Sequence, residues 1–348
     1  MKGMIFAAGK GERLMPLTSV APKPLFPVVN KPILQYNIEL LAKAGVTDIM
    51  INLFHLGDKI QAHFGDGTEL GVTLHYSHEE SLWGTGGGLK LVEDFFIDEE
   101  AFVVINGDTL IDTDIAAAIE AHTQSDAVAT MVLCPSADTE QFGAVEIDEN
   151  NNVVQIAGRI AKPKTPAVAG HVFAGVHVLS PRIFEYIPPA IASCINAYAY
   201  TKMINNNEQV KAFLMQEDDY WNDLGTPDRY FNTNLDVLER TIKFNHLDPF
   251  SMYPQKPKKA ETGFVGMGED VDMNALAQFV PPIALGNAVV VGEEAFIGPS
   301  CCIGNDCNIG RKAVISRSVI LPGTIVSSKT RLENAIVAGK HRIYVETI

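Results

Sequence analysis

Residues 4–13 read Met4-Ile5-Phe6-Ala7-Ala8-Gly9-Lys10-Gly11-Glu12-Arg13, a short apolar run closed by a basic, glycine-rich turn. The run reads as a buried first strand. Glycines at a strand's end let the backbone approach an anion closely, and Lys10 and Arg13 bring positive charge to the same spot. Alone, the stretch is equally an ordinary strand-to-helix turn. Pro22-Lys23-Pro24 tips the balance, because each proline locks its own φ and steers the preceding residue away from helix. Lys23 is therefore expected in a rigid, extended segment. A fixed cation beside a glycine loop suits a polyphosphate. Two other phosphate loops are excluded: Leu14 stands where a dinucleotide fingerprint needs its third glycine, and the Gly-Lys-Ser/Thr of a Walker A loop is absent.

At 348 residues the chain is expected to form more than one domain, and 47% hydrophobic residues suffice for a good core. A net charge of −15 argues against general affinity for nucleic acid or acidic membrane, so an anionic ligand needs a local cluster of cations. Apolar runs fall short of membrane-spanning length, and the first strand starts too soon after Met1 for a signal peptide. Five cysteines, an odd number, point to reduced thiols and a cytoplasmic setting.

From Met1 to about Pro135 strands and helices alternate. Helical spacing follows Pro32 and stops at Gly45; strands are expected at Asp48–Leu53, Val72–Tyr76, Ala101–Ile105 and Val128–Leu133, with Asp112 or Thr113 capping a helix through His122. Strands separated by helices imply parallel pairing with right-handed crossovers, a doubly wound, mostly parallel α/β sheet. Ligands of such sheets bind at the carboxyl ends of strands, where Gly9–Arg13 falls. Gly143–Ile156 reads as a hairpin, Val172–Leu179 as a strand, and Thr226 as the start of a helix to about Arg240. The expected organisation is a 1–240 domain, a 241–282 connector and a 283–348 repeat domain.

The repeat is read directly. Leu285, Val291, Ile297, Ile303, Ile309, Ile315 and Leu321 recur every six residues, and glycine follows each of the first five. A hexapeptide period signals a parallel β-helix whose coils share one apolar core. Cys301 and Cys307 fall in phase with small core residues.

Further motifs could carry chemistry. Asp108, closing Asn106-Gly107-Asp108 after a central strand, reads either as a cation ligand or as an Asx-turn. In Trp221-Asn222-Asp223-Leu224-Gly225-Thr226-Pro227, Thr226 caps the next helix with Pro227 as its first residue, which leaves Asp223 free of that duty. Gly84-Thr85-Gly86-Gly87-Gly88 reads as a second ligand loop or as a flexible turn before a helix from Leu89. Glu79 reads either as a base-reading carboxylate or, with Glu80, as a solvated acidic pair.

The run Phe6–Pro32, FAAGKGERLMPLTSVAPKPLFPVVNKP, resembles the signature of sugar-1-phosphate nucleotidylyltransferases, and residues 285–337 resemble the left-handed hexapeptide-repeat domain. The resemblance implies an enzyme that joins an NTP and a sugar 1-phosphate, releasing pyrophosphate. Mannose 1-phosphate with GTP is the first choice. Uridylyl transfer to N-acetylmuramate 1-phosphate and guanylyl transfer to a heptose phosphate are alternatives. It also implies roles: Arg13 on the leaving phosphates, Lys23 on the α-phosphate, and Asp108 with Asp223 on Mg²⁺. Ala7, Ala8, Gly9, Gly11, Glu79, Gly84 and Thr85 would line the nucleotide. Gly143 and Gly175 would line the sugar phosphate. Many relatives carry Glu-Lys-Pro where this chain has Gly158-Arg159-Ile160, so Arg159 or nearby Lys162 would grip that phosphate. The coil lacks the histidine of hexapeptide acyltransferases, and is expected to join copies of the chain into a homo-oligomer. A non-catalytic, regulatory paralogue is the remaining alternative.

Overall fold

The computed structural model describes residues 1–135, 138–159, 165–253, 263 and 265–346. They form two compact units, neither of them continuous in sequence: Met1–Gly9 with Asn37–Trp221, and Lys10–Tyr36 with Asn222–Ile348. Each is described by itself.

The first unit is built on a nine-stranded sheet. Its strands are β1 (Lys2–Phe6), β2 (Asp48–Leu53), β3 (Thr73–His78), β4 (Phe102–Asn106), β5 (Ala129–Cys134), β6 (Ala144–Ile147), β7 (Val153–Ile156), β8 (Ala169–Leu179) and β9 (Val210–Leu214). The order is β7-β6-β8-β4-β1-β2-β3, with β5 pairing β8 and β9. Strands β3, β2, β1 and β4 run parallel, in the register Gly3 to Ile49 and Gly3 to Val103. Helices α1 (Ile33–Lys43) and α2 (Gly57–Phe64) follow β1 and β2 in sequence, as the crossovers require. Strand β8 runs antiparallel to β4, β5 and β6, so the parallel half of the sheet gives way to an antiparallel half at β8. Met4, Phe102, Val104, Met131 and Leu133 are fully buried in one core.

Local corrections follow from hydrogen bonding. Asp114, rather than Asp112 or Thr113, caps α4 (Ile115–Thr123), its side chain accepting from the Ala117 N–H at 2.9 Å. The Gly143–Ile156 hairpin forms as expected, and Asp148 organises its turn by accepting from the Asn150 and Asn152 backbones, both at 2.9 Å.

Two histidines are buried in this unit. His177 lies beside the Tyr200 hydroxyl at 2.6 Å, and burial pushes its pKa from an ordinary 6.5 to about 3. Burial likewise brings His122 to about 4. A histidine depressed in the folded state gives stability that is complete above the unfolded pKa and lost as pH falls below it. At pH 5 the neutral His177 is expected to cost about 2 kcal/mol of stability. Melting temperature should therefore fall between pH 6.5 and 4, and His177→Gln should flatten that slope; an identical slope in both proteins would discard this account.

In the second unit, α5 (Pro227–Glu239) starts as expected, the Thr226 hydroxyl accepting from the Arg229 N–H at 3.4 Å. The repeats form a parallel coil in which Ile283 stacks on Cys301, Val290 on Asn308 and Phe296 on Val314, eighteen residues apart. Each eighteen-residue coil is three hexapeptides. Val265–Met267 already pairs with Ile283–Leu285, so the coil starts within the 241–282 stretch. Past Ile315 the sequence phase misleads. Cys301 stacks on Ser318, and Ile303 on Ile320, a step of seventeen. The corner near Ser316 and Arg317 is one residue short, and Ile320 takes the place expected for Leu321. Cys301 and Cys307 are buried small core residues. A side chain on Gly286 would meet the Asn305 nitrogen of the next coil at 2.6 Å, which accounts for the glycine phase.

Candidate functional site

The phosphate-loop residues meet a carboxylate inside the second unit. Gly11 adopts φ 62°, a conformation suited to glycine, and its carbonyl accepts from the Thr18 hydroxyl at 3.1 Å. Glu12–Leu14 then forms one 3-10 turn that carries Arg13. Lys23 departs from the expected extended geometry. It begins the third 3-10 turn of this segment, Lys23–Leu25, after one at Leu17–Ser19, and its Leu25 and Phe26 N–H groups reach the Pro22 and Lys23 carbonyls, both at 2.9 Å. Pro24 sits where a first helical turn needs no N–H, so this turn tolerates it.

Arg13 and Lys23 converge on Asp223. The Arg13 guanidinium lies 3.3 Å from Oδ2 and the Lys23 ammonium 3.4 Å from Oδ1. The Lys23 side chain is 5% exposed, that of Asp223 14% and that of Arg13 63%. A buried lysine on one oxygen and a wet arginine on the other bring two cations to one carboxylate in an acidic protein. Gly225 keeps the junction open: a side chain there would collide with the Arg13 guanidinium and the Asp223 carboxylate.

In the first unit, Ala7, Asn52 and Glu79 form a chain. The Ala7 N–H donates to Asn52 Oδ1 at 2.8 Å, and Asn52 Nδ2 donates to Glu79 Oε1 at 2.7 Å. Glu79 Oε2 accepts from the Trp83 N–H at 3.2 Å. Glu79 is 7% exposed, so it is no solvated surface carboxylate. Both its oxygens are engaged within the protein. Asn52 escaped the sequence reading; its signal was a polar residue inside the apolar strand Asp48–Leu53.

The Gly84–Gly88 stretch is not a turn before a helix but is itself helical, α3 (Gly84–Lys90). Its glycines serve close packing. A side chain on Gly86 would meet Ser193 Oγ at 2.7 Å, and one on Gly88 would meet Glu79 Oε1 at 2.6 Å. The Thr85 hydroxyl accepts from the Ile195 N–H at 3.0 Å, tying the 191–195 segment to this helix.

Asp108 is half-buried just past β4, beside Gly107, whose N–H bonds the Phe6 carbonyl at 2.9 Å. It therefore lies at the carboxyl ends of β1 and β4. Gly175, at φ 85°, sits in an irregularity of β8, between Phe173 and His177, where a side chain would come within 3.0 Å of Asn106 Nδ2. Gly143, at φ 80°, ends the short Thr139–Phe142 helix, and Phe142 packs edge-on against Trp221 at 5.1 Å. Gly9 and Arg159 are exposed, and Ala8 is buried. Lys162 lies outside the described residues. No helix among the described residues is long and apolar enough to cross a membrane.

Comparison with known proteins accords with this geometry. The family model described as Nucleotidyl transferase matches residues 2–240, and the one described as GMPPB C-terminal domain matches residues 279–346. The UTP–glucose-1-phosphate uridylyltransferase of Synechocystis sp. is 32% identical over 256 residues, covering 70% of this chain and 65% of that protein. The mannose-1-phosphate guanylyltransferase of Mycobacterium tuberculosis is 29% identical over 235 residues, covering 68% and 64%. The match thus spans slightly less than two thirds of these relatives' length. A solved structure of a putative glucose-1-phosphate thymidylyltransferase from Bacillus anthracis, in complex with a sucrose, superposes with a TM-score of 0.58 at 30% identity, covering 70% of this chain and 97% of that one. With the family model spanning the glycine loop, the Lys23 turn and the Asp223 segment alike, the chain belongs to the nucleotidyl transferase family.

Proposed function

We propose that the protein transfers a nucleoside monophosphate from an NTP to a sugar 1-phosphate, giving an NDP-sugar and pyrophosphate. The observation that carries this reading is the convergence of Arg13 and Lys23 on Asp223 in a chain of this family. A sugar phosphate is already largely anionic near neutral pH, so its oxygen attacks the α-phosphorus without a general base, and pyrophosphate leaves from the opposite side. The protein then supplies positioning and charge neutralisation. Lys23 stabilises the α-phosphate and Arg13 grips the phosphates that leave. Ala7, Ala8, Gly9, Gly11, Gly84 and Thr85 shape the nucleotide's surroundings. Gly143, Gly175 and either Arg159 or Lys162 take the sugar phosphate.

By resemblance Asp108 and Asp223 are the Mg²⁺ carboxylates. The donor chemistry suits a hard cation, since both are carboxylates, Asp108 half-buried and Asp223 shared with Arg13 and Lys23, and no group of three or more His, Cys, Asp or Glu able to hold a metal unaided occurs among the described residues. Mg²⁺ is commonly held in this way, by one or two carboxylates together with phosphate oxygens and water. When bound it would neutralise charge on the phosphate oxygens.

GTP and mannose 1-phosphate remain the first choice. Support comes from the C-terminal match and from relatives named mannose-1-phosphate guanylyltransferase. Glu79 does not support guanine by itself, since Asn52 and Trp83 already engage its oxygens. Pyrophosphate release across a matrix of four NTPs and several sugar 1-phosphates tests the reading. GTP with mannose 1-phosphate should give the highest kcat/KM; another pair in first place would replace the substrate choice, and no release from any pair would favour the regulatory alternative. We further propose a cytoplasmic homo-oligomer joined through the coil, which a solution mass equal to one chain would refute.

A further inference from the structure

The segment that follows Lys23 is anchored to the coil. Pro27-Val28 and Lys31-Pro32 pair as a tight hairpin whose tip, Val29 and Asn30, adopts φ 47° and 68°. Asn30 is 7% exposed. Its Nδ2 donates to the Ile303 carbonyl at 3.0 Å and to the Tyr253 hydroxyl at 3.0 Å, with the Ala284 carbonyl at 3.4 Å. Ala284 and Ile303 belong to successive coils, so one amide bridges two rungs of the β-helix. Tyr253 in turn donates to the Val29 carbonyl at 3.3 Å. The Val29 N–H donates to Asn234 Oδ1 on α5 at 3.0 Å, and Lys31 Nζ reaches the Asp248 carbonyl at 2.9 Å.

The same coil braces the carboxylate. Helix α5 starts just past Asp223, and Glu239 near its end accepts from the Ser300 hydroxyl at 2.5 Å. Between Lys23 and Asn30 there is little slack. Phe26 packs against Tyr230 of α5 with ring centroids 5.4 Å apart and the planes tilted by 58°, and the Tyr230 hydroxyl donates to the Pro27 carbonyl at 2.6 Å. A short, hydrogen-bonded path therefore joins the coil to the turn that presents Lys23.

We propose that Asn30 is a positioning residue: it hangs the 27–32 hairpin from the coil and so fixes the Lys23 ammonium against Asp223. The coil then serves the transfer site as its support. This rests on the reading under Proposed function only where turnover is concerned. An amide at left-handed φ, buried and shared between two coil carbonyls and the Tyr253 hydroxyl, is more than a turn needs, because glycine alone would satisfy the backbone. Misplacing a transition-state cation by a fraction of an ångström lowers kcat while leaving substrate affinity nearly intact.

The test uses the full chain with Asn30→Gly, which keeps the backbone conformation and removes the amide. Hydrogen exchange at the Leu25 and Phe26 amides, free of any substrate assumption, should rise at least tenfold. Turnover should fall about tenfold or more, with KM for the NTP within about twofold. In a Lys23→Ala background, Asn30→Gly should lower kcat by less than twofold, since its effect runs through Lys23. If Asn30→Gly does not fold, Tyr253→Phe, which removes one acceptor of Asn30 together with the hydroxyl's bond to the Val29 carbonyl and keeps both coil carbonyls, carries the same comparison at smaller amplitude. Unchanged exchange at Leu25 and Phe26, or an equal loss of kcat with and without Lys23, overturns the proposal. Raised exchange in a protein whose wild type turns over no nucleotide would overturn the functional reading and leave the tether standing.

Discussion

Asp223→Asn is expected to lower turnover by about 10²–10³ while leaving the fold intact, the usual loss when a preorganised charge at a transferring phosphate is removed. The carboxylate now holds Arg13 on one oxygen and Lys23 on the other, at 3.3 and 3.4 Å. An amide keeps the shape, but it turns an N–H toward one of the two cations and withdraws a negative charge from a proposed metal ligand. Asp108→Asn should cost a similar factor, as the second proposed metal ligand. Pyrophosphate release at saturating Mg²⁺, with circular dichroism to check folding, settles both. Near-normal turnover by either variant removes that residue from the metal assignment.

The second large effect separates the two cations. Lys23→Ala should lower kcat by about 10²–10³ with little change in KM for the NTP, because the buried ammonium, in the role proposed for it at the α-phosphate, would gain most when charge builds there. Arg13→Ala should raise KM and lower kcat together, because the phosphates it grips are charged from the moment of binding. The burial contrast, 5% against 63% exposure, supports this division. A pure loss of affinity in both variants would contradict it.

How far these residues could be read in the sequence differs from one to the next. Strand β1 was legible because an apolar run closed by Gly-Lys-Gly has a clear end, whereas the loop alone read equally as an ordinary turn and gained weight only from Pro22-Lys23-Pro24. Thr226-Pro227 was legible because a cap and a first-turn proline are local facts, and the hexapeptide period held through Ile315. The phase then failed at a corner one residue short, which no side chain announces. Helix α3 was hidden because glycines lower helix propensity, and the need for them shows only in the packing of Glu79 and of the 191–195 segment, the latter about a hundred residues away, against it. Asn30 lay unremarked within the Phe6–Pro32 run. Its three acceptors lie more than two hundred residues away, beyond any local pattern.

The interleaved make-up of the two units bears on the order in which the chain can fold as it is made. Lys10–Tyr36 belongs with Asn222–Ile348, while the stretch from Asn37 to Trp221 lies between them in sequence. The segment carrying Arg13 and Lys23 therefore leaves the ribosome long before Asp223, α5 or the coil exists. At about 5–20 residues per second this wait lasts on the order of 10–40 seconds. The sheet of the first unit can assemble during that interval, but the phosphate loop cannot acquire its partners. The cation cluster is thus completed only late in synthesis, and a chain that stops short of Asp223 lacks the carboxylate on which Arg13 and Lys23 converge.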